Sequence, residues 1–235
     1  MKYFNHSIIS VTLLIIPLIS SSPSLERISS EVQTRIWDDG TTYISNSEIY
    51  YKLDGTLIVR STEPEEMIIK ANHIGEMYIY YPEVNESEYH QGEDLSSEAS
   101  QFYIFLQGMT EDLGLRNVGY SMTDTEFEDD HSITYWDPPE HMRPHIGQTK
   151  LVHEDYRPIY LSVKDTDGEV VQKTYFHDYT EIMDHDFPKS ITTIDYQSAR
   201  DSTVSQTSFS NLKYNEQADS RYFDFEIPAD ATIRE

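Results

Sequence analysis

The sequence of 235 residues contains no cysteine. The folded chain therefore has no disulfide, no cysteine nucleophile and no cysteine that could be lipidated as in a bacterial lipoprotein. Its stability has to come from the burial of apolar side chains. An exported protein that is held together in this way is common in the bacterial periplasm and unusual among small secreted eukaryotic domains.

Basic residues are also scarce, because 17 Lys and Arg stand against 42 Asp and Glu, a formal net charge of −25. A negatively charged surface repels nucleic acid and anionic membranes, so neither is predicted as a general partner. Two interpretations of the acidic excess stay open. It serves solubility, or it steers the chain toward a basic surface on a partner.

An apolar run long enough to cross a membrane is missing as well. The stretch Ile8–Ile19 has about a dozen residues, whereas a spanning helix needs about 20. Lys2 precedes this stretch and three serines follow it, which is the order of regions in a secretory signal peptide. We therefore predict a cleaved signal peptide at 1–24 and one domain at 25–235. The alternative is an uncleaved N-terminal anchor.

Alternating apolar and polar residues predict β-strands over most of the remaining chain. Tyr50–Arg60 predicts a hairpin, with Asp54-Gly55 as its turn. Asp165 begins a stretch that resembles a calcium loop, but no acidic residue stands at its twelfth position, so a β-turn is predicted there. Further strands are predicted at Met67–Ile69, Met77–Tyr81, Ile133–Trp136, Ile159–Val163, Val170–Tyr179, Ile191–Tyr196, Thr203–Tyr214 and Phe223–Ile227.

Two segments instead place apolar residues three or four positions apart, which is the helical spacing. Leu25–Ile36 predicts a short amphipathic helix, and Asp94–Leu113 predicts the main helix. Together these elements predict a mainly β (α+β) fold, in which a large curved antiparallel sheet forms an unclosed half-barrel with helices packed on its concave face. An acidic, proline-rich insertion at Met122–Gly147 interrupts this pattern with a strand and a long loop.

Residues that catalyse reactions or bind metals form no recognisable pattern. His141 and His145 lie on a proline-interrupted loop, and Asp184-His185-Asp186 has no third cluster at a suitable spacing. No G-x-S-x-G motif and no phosphate-binding glycine loop occurs. The sequence thus favours a binding protein without a metal, a cofactor or catalytic residues. Acidic pairs are numerous, so a hydrolase with two catalytic carboxylates stays open as an alternative.

Apolar residues exceed what one thin sheet needs, and many of them are methionine or aromatic. If the main helix lies on the concave face, these side chains line a cavity that can repack around flexible lipid chains. A filled core is the other interpretation, and it would suit a structural module of the cell envelope. The residues predicted to line the cavity are Ile58, Met67, Ile69, Met77, Ile79, Phe102, Phe105, Leu106 and Met109.

Three stretches together resemble the LolA family of periplasmic lipoprotein carriers. Gly55–Arg60 matches the strand G-x-L-x-V-[KR] of that family, and Pro64–Glu86 matches the segment that follows it. Pro188–Tyr214 resembles the paired strands near the family's C-terminus, and Phe223–Pro228 resembles its closing F-x-F-x-x-P strand. These matches cover about 70 to 80 residues and occur in the family's order. Each motif alone is weak, but the ordered combination is moderately specific.

The resemblance implies an unclosed barrel with a helical lid over an apolar cavity, no enzymatic activity and no cofactor. It also implies a monomer whose ligands are lipoprotein acyl chains, with an inner-membrane release complex and an outer-membrane acceptor as partners. In the family a basic residue after the second motif strand holds the lid by hydrogen bonds to helix backbone, and Arg60 matches it most nearly. Ser61-Thr62 follow where the family has proline, and the insertion Met122–Gly147 is a second departure. The first departure puts the role of Arg60 as a latch in question, and the second puts the identity of the delivery partner in question.

Overall fold

A computed structural model describes residues 24–92, 95–198 and 201–234. The predicted signal peptide lies almost wholly outside the described residues. Within them, no helix has both the length and the apolar character that crossing a bilayer requires.

The described strands form a single open sheet of 14 strands, in the order β14-β6-β5-β4-β3-β2-β1-β13-β12-β11-β10-β9-β8-β7. All neighbours pair antiparallel except β14 and β6, which run parallel. This confirms the predicted mainly β, unclosed antiparallel sheet. The strands are β1 Arg27–Asp38, β2 Thr41–Lys52, β3 Leu57–Glu63, β4 Met67–Ala71, β5 Glu76–Tyr81, β6 Glu86–Gln91, β7 Ser121–Glu128, β8 His131–Asp137, β9 Thr149–Glu154, β10 Arg157–Lys164, β11 Val170–Ile182, β12 His185–Ser198, β13 Asp201–Tyr214 and β14 Thr232–Ile233.

The N-terminal segment predicted as a helix is strand β1, so that prediction is wrong. Ile28, Val32 and Ile36 are spaced by four residues, which returns a side chain to the same face of a helix and equally to the same face of a strand. β-Branched residues favour the strand. β1 pairs along its whole length with β2 and with β13, which places it at the centre of the sheet.

The main helix is much shorter than predicted. α1 spans Gln101–Leu106, and single 3₁₀ turns flank it at Ser97–Ala99 and Met109–Glu111. The Ser100 side chain caps the first turn, and Gly108 in the left-handed conformation ends the helix after less than two turns. One short α-helix therefore replaces the predicted layer of helices on the sheet.

The face of the sheet that carries α1, here called the inner face, holds the larger apolar core. Its centre is a set of aromatic rings from α1 and from three strands. Phe102 lies 5.1 Å from Phe187 and 5.4 Å from Phe209 between ring centroids, and Phe105 lies 5.7 Å from Phe176. All five rings are buried. Edge-to-face contacts of this kind stabilise a core beyond the area that they bury.

The opposite, outer face is covered by the C-terminal segment 215–231. A second core forms there, in which Tyr50, Ile58, Ile68 and Tyr80 of the sheet pack against Phe223 of that segment. The strand predicted at Phe223–Ile227 is absent, because the segment forms 3₁₀ turns and extended backbone. Its alternating apolar residues pack onto the face of the sheet and do not join its edge.

The acidic insertion is more ordered than predicted. Its first part is the hairpin β7–β8, which closes with Asp129 in the left-handed conformation and extends the sheet at one end. Only the proline-rich part, 138–148, is a loop between β8 and β9. The turn predicted at Asp165 is confirmed, since its carboxylate accepts hydrogen bonds from the backbone of Asp167 and Glu169.

Phe187→Ala is predicted to destabilise the protein strongly. The Phe187 ring is fully buried among Phe102, Phe105 and Phe209, so truncation loses burial and leaves a cavity. We expect a loss of about 3–5 kcal/mol in the free energy of unfolding, measured by denaturant titration. Phe127→Ala is the matched control, because that ring is exposed, and its change should stay within about 0.5 kcal/mol. Similar losses for both variants would contradict this account of the core.

Candidate binding surface on the inner face

The segment 95–120, here called the crossing segment, traverses the inner face from one half of the sheet to the other. At its start, Ser96 and Ser97 donate hydrogen bonds of 2.8 and 2.6 Å to the carbonyls of His73 and Gly55, in the turns that follow β4 and β2. Its middle, α1, contacts β12. The segment thus divides the inner face into two parts.

At its far end, the crossing segment is held by β8 and β9. Nε2–H of the buried His153 donates to the carbonyl of Thr110 at 2.8 Å. The Arg116 guanidinium lies 5.1 Å above the ring of Trp136 and pairs with Glu111 at 3.1 Å. Hydrogen bonds, an ion pair and a cation–π contact are found at the two ends, whereas the aromatic core holds the middle.

On the β3–β6 side of the crossing segment, the inner face is an aliphatic surface, here called the aliphatic strip. Strand register places Val59, Ile69 and Ile79 side by side, with Met67 and Met77 on the same face. All five side chains are half-buried, although most aliphatic residues in a core would be fully covered. Neither core cluster includes these five residues. The strip is apolar surface on the sheet that remains accessible to a ligand.

On the β7–β9 side, a cavity of about 420 Å³ lies between the crossing segment and the sheet. This volume falls within the range of about 300–1,000 Å³ that is usual for ligand pockets. The lining combines apolar and polar side chains: Thr110, Glu111, Met122, Ser132, Thr134, Trp136, His153 and Tyr156, together with Gly108. The sequence offered no signal for this cavity, because its walls come from four separate segments.

The structure divides the residues that were predicted to line one cavity. Phe102, Phe105 and Leu106 are buried in the inner-face core, so they fill the space beneath α1. Met109 is half-buried in the turn after α1, where its Sδ accepts a hydrogen bond from Asn117. Met67, Ile69, Met77 and Ile79 form most of the aliphatic strip. Ile58 was misplaced by the sequence prediction, because it points to the outer face and packs in the second core.

Arg60 also lies on the outer face, where it cannot reach α1. Its guanidinium donates to Glu48 at 3.0 Å and Glu66 at 2.9 Å, and it lies 5.1 Å above the ring of Tyr222. The hydrogen bond to Glu66, with that to Glu48, raises the pKa of Arg60 further above its ordinary value. The predicted contact with helix backbone is therefore absent, because side chains alternate between the two faces of a strand. Arg60 instead holds the C-terminal segment.

In the described part of the chain, no group of three or more His, Asp or Glu side chains is arranged to bind a metal ion. Asp186 of the suspected Asp184-His185-Asp186 cluster pairs with Arg157 at 2.9 Å. The turn at Asp165 uses its carboxylate on the backbone. The geometry of the described residues thus supports an apolar binding surface better than a metal centre.

Comparisons with known proteins were made for both the sequence and the fold. No family model matches the sequence, and no curated protein matches it. Among solved structures, the chain is similar to a LolA superfamily protein from Nitrosomonas europaea, with a TM-score of 0.55 and 15% identity over 82% of this chain and 87% of the other. A domain assigned to outer-membrane lipoprotein sorting, from Vibrio parahaemolyticus, gives a TM-score of 0.58 and 11% identity over 85% and 89%.

A DUF1329 family protein from Desulfovibrio piger gives the same TM-score of 0.58, with 15% identity over 85% of this chain and 90% of the other. Each comparison covers most of both chains, so the similarity is not confined to one part of the fold. At these identities the comparisons establish the fold. The resemblance predicted from the sequence motifs is confirmed at that level.

Tyr51→Phe is predicted to change how stability depends on pH. No described residue is in hydrogen-bond geometry with the hydroxyl of the fully buried Tyr51, and burial raises the pKa of Tyr51 well above its ordinary value near 10, although the Gln107 side chain near it acts in the opposite direction. Above pH ~10 the unfolded chain loses this proton while the folded chain keeps it, so stability falls as pH rises, by at most about 1.4 kcal/mol per pH unit.

In Tyr51→Phe this contribution disappears, so denaturant titrations between pH ~9 and ~11 should show a shallower loss of stability. At neutral pH the variant should be as stable as the natural protein or slightly more stable, because an unpaired buried hydroxyl is removed. Tyr156→Phe is the control, since Tyr156 is 95% exposed, and its pH dependence should match that of the natural protein. An unchanged slope in Tyr51→Phe would contradict the assignment.

Proposed function

We propose that this chain, which has the fold of the LolA superfamily proteins, is an exported carrier that binds lipoprotein acyl chains and moves them toward the outer membrane. The observation that carries the proposal is the aliphatic strip. It offers five half-buried apolar side chains on the inner face of an open sheet, next to a segment whose start is tied to the turns of the sheet by hydrogen bonds from Ser96 and Ser97.

The chemistry of the strip suits a hydrocarbon chain. Met67 and Met77 are unbranched and polarizable, so they adapt to ligands of different shape, while Val59, Ile69 and Ile79 supply a fixed surface between them. Each methylene group that leaves water contributes about 0.8 kcal/mol. A ligand bound in this way needs no directional contact, so one surface serves many acylated proteins.

Release requires that the ligand-bound and free states differ little in free energy. The crossing segment supports this requirement, since hydrogen bonds from Ser96 and Ser97 hold its start, whereas the aromatic core holds its middle. The filled aromatic core beneath α1 means that bound chains extend along the strip and do not enter the space under the helix. The ligand site proposed here is thus the strip beside α1, in place of the cavity predicted beneath it.

The role proposed is binding without catalysis. The two solved structures that are assigned to LolA and to lipoprotein sorting support a carrier. The surface proposed for the ligand is apolar, whereas the active site of such a hydrolase would need two carboxylates. One observation favours a different role, namely a structural module of the cell envelope. The core beneath α1 is filled, as that role would require.

Replacement of Ile79 by glutamine is predicted to weaken acyl binding. The natural protein should bind a fluorescent fatty acid, and Ile79→Gln should raise the Kd about tenfold, because an amide would face the chain without a partner. The control is Ile194→Gln, which changes a half-buried isoleucine on the outer face of β12. Its Kd should equal that of the natural protein, and both variants should unfold at similar denaturant concentrations.

Native mass spectrometry of protein purified from the periplasm tests the same proposal without a probe. We expect co-purifying lipid or acylated peptide, reduced in Ile79→Gln. If the natural protein binds no probe and carries no lipid, or if Ile79→Gln binds as well as Ile194→Gln, the carrier is refuted and the structural module is favoured.

Export is predicted to remove the N-terminal segment. Because Ile8–Ile19 is too short to span a bilayer and small residues follow it, cleavage after Ser22 or Ser24 is expected. Intact-mass analysis of the exported protein should give a mature chain that begins within Ser21–Leu25. A chain that retains Met1 and sediments with membranes would instead show an uncleaved anchor.

A further inference from the structure

Strand β7 forms a long free edge of the sheet. It is the terminal strand, and within the described residues it pairs with β8 alone. All eight residues of Ser121–Glu128 are exposed. At the other end of the sheet, the two-residue strand β14 lies against β6, and Arg234 pairs with Glu86 and Glu88. The chain itself therefore covers Glu86 and Ser87 at the start of one edge strand, whereas the β7 edge presents open backbone groups along the strand.

The two faces of β7 differ in chemistry. Strand register puts Asp124, Glu126 and Glu128 on the outer face, opposite Tyr135, Ile133 and His131. Among the described residues none of these three carboxylates pairs with Lys or Arg, although Glu126 accepts a hydrogen bond from Tyr135 at 3.2 Å. Three like charges at every second position prevent the edges of two copies from pairing, because the carboxylates would repel.

The inner face of β7 is apolar where the outer face is acidic. Phe127 is 79% exposed and Met122 is 49% exposed. The carboxylates on the outer face are enough to keep the β7 edges of two copies from pairing. The large apolar side chains on the inner face of β7 therefore need a different explanation. Phe127 also borders a groove of about 260 Å³ between the β7–β8 and β9–β10 turns, where Tyr156 is 95% exposed. Two exposed rings therefore stand along a groove that is also lined by Asp129, Asp130 and Asp155.

We propose that the β7 edge binds an extended segment of a partner protein in which basic and apolar residues alternate. The added strand would bond its backbone to the free groups of β7, as in other cases of strand addition. Its basic side chains would lie beside Asp124, Glu126 and Glu128, and its apolar side chains would lie beside Phe127 and Met122. This inference stands apart from the acyl-chain proposal, because it uses neither the aliphatic strip nor α1.

The test is the binding of a short synthetic peptide in which lysine and valine alternate. Calorimetry should show saturable binding, and hydrogen exchange should show protection of the amides in Ser121–Glu128. A peptide of the same composition without the alternation should bind at least about tenfold more weakly, since it cannot place all its charges on one face. Affinity should fall as salt rises.

Two triple variants separate local complementarity from net charge. Asp124→Asn, Glu126→Gln and Glu128→Gln together should weaken binding at least about tenfold. Asp39→Asn, Glu65→Gln and Glu83→Gln remove the same charge at exposed positions elsewhere and should leave the affinity unchanged. Phe127→Ser should weaken binding of the alternating peptide and bring it close to that of the non-alternating one.

Four results would overturn the inference: no binding of the alternating peptide, equal loss in both triple variants, protection outside β7, or a dimer of the natural protein that pairs through β7. Fatty-acid binding is measured separately on the same proteins. If the natural protein binds the fatty acid but not the alternating peptide, the docking edge alone is refuted, and the reverse result refutes the carrier alone.

Discussion

The packing of Phe102 and Phe105 against Phe176, Phe187 and Phe209 is the contact on which the rest of this structure depends. An open sheet of 14 described strands has two large faces. Because the chain has no cysteine, only packed side chains, and no disulfide, can hold other segments against those faces. α1 is too short to cover the inner face. Its two phenylalanines therefore anchor the crossing segment at the centre, and the aliphatic strip beside it stays half-buried. The open surfaces proposed for ligands follow from this limited cover.

The outer face is covered by different chemistry. There the C-terminal segment 215–231 brings its own aromatic residues, and cations of the sheet fix it in place. Lys52 pairs with Asp224 and Lys70 with Glu226, each at 2.7 Å, and Arg60 lies over Tyr222. Exposed ion pairs of this kind contribute little stability individually. Their role is to set the register of a segment whose apolar contacts alone would allow it to slide.

Sequence reasoning identified the features that depend only on residues close together in the chain. The hairpin at Asp54-Gly55 depends on a glycine that adopts a positive φ, and the turn at Asp165 depends on an aspartate that bonds nearby backbone, so both could be predicted. The β1 segment could not be assigned from spacing alone, because a period of four fits a helix and a strand. Burial between two neighbouring strands decided its structure.

The same distinction between local and long-range causes applies to the residues of the candidate site. Met67, Ile69, Met77 and Ile79 lie on one face, as alternation along each strand implies, and their role in binding stays a prediction. Ile58 and Arg60 were placed wrongly because the sequence does not say which face of β3 carries α1. The 420 Å³ cavity was missed because it exists only where the crossing segment meets β8 and β9. Contacts between distant segments are the information that one sequence does not carry.

The distribution of charge connects these features. With 17 basic residues against 42 acidic ones, a chain cannot neutralise all of its surface. Arg60, Lys52 and Lys70 all lie where the C-terminal segment meets the outer face, so the cations are used to fix that segment. The carboxylates of β7 are left uncompensated at the opposite end of the sheet. These carboxylates make the open edge negative, and that charge would accelerate the approach of a basic partner at low ionic strength. In the order of strands, β1 and β13 lie between that edge and the aliphatic strip, so the two proposed sites use separate parts of the sheet.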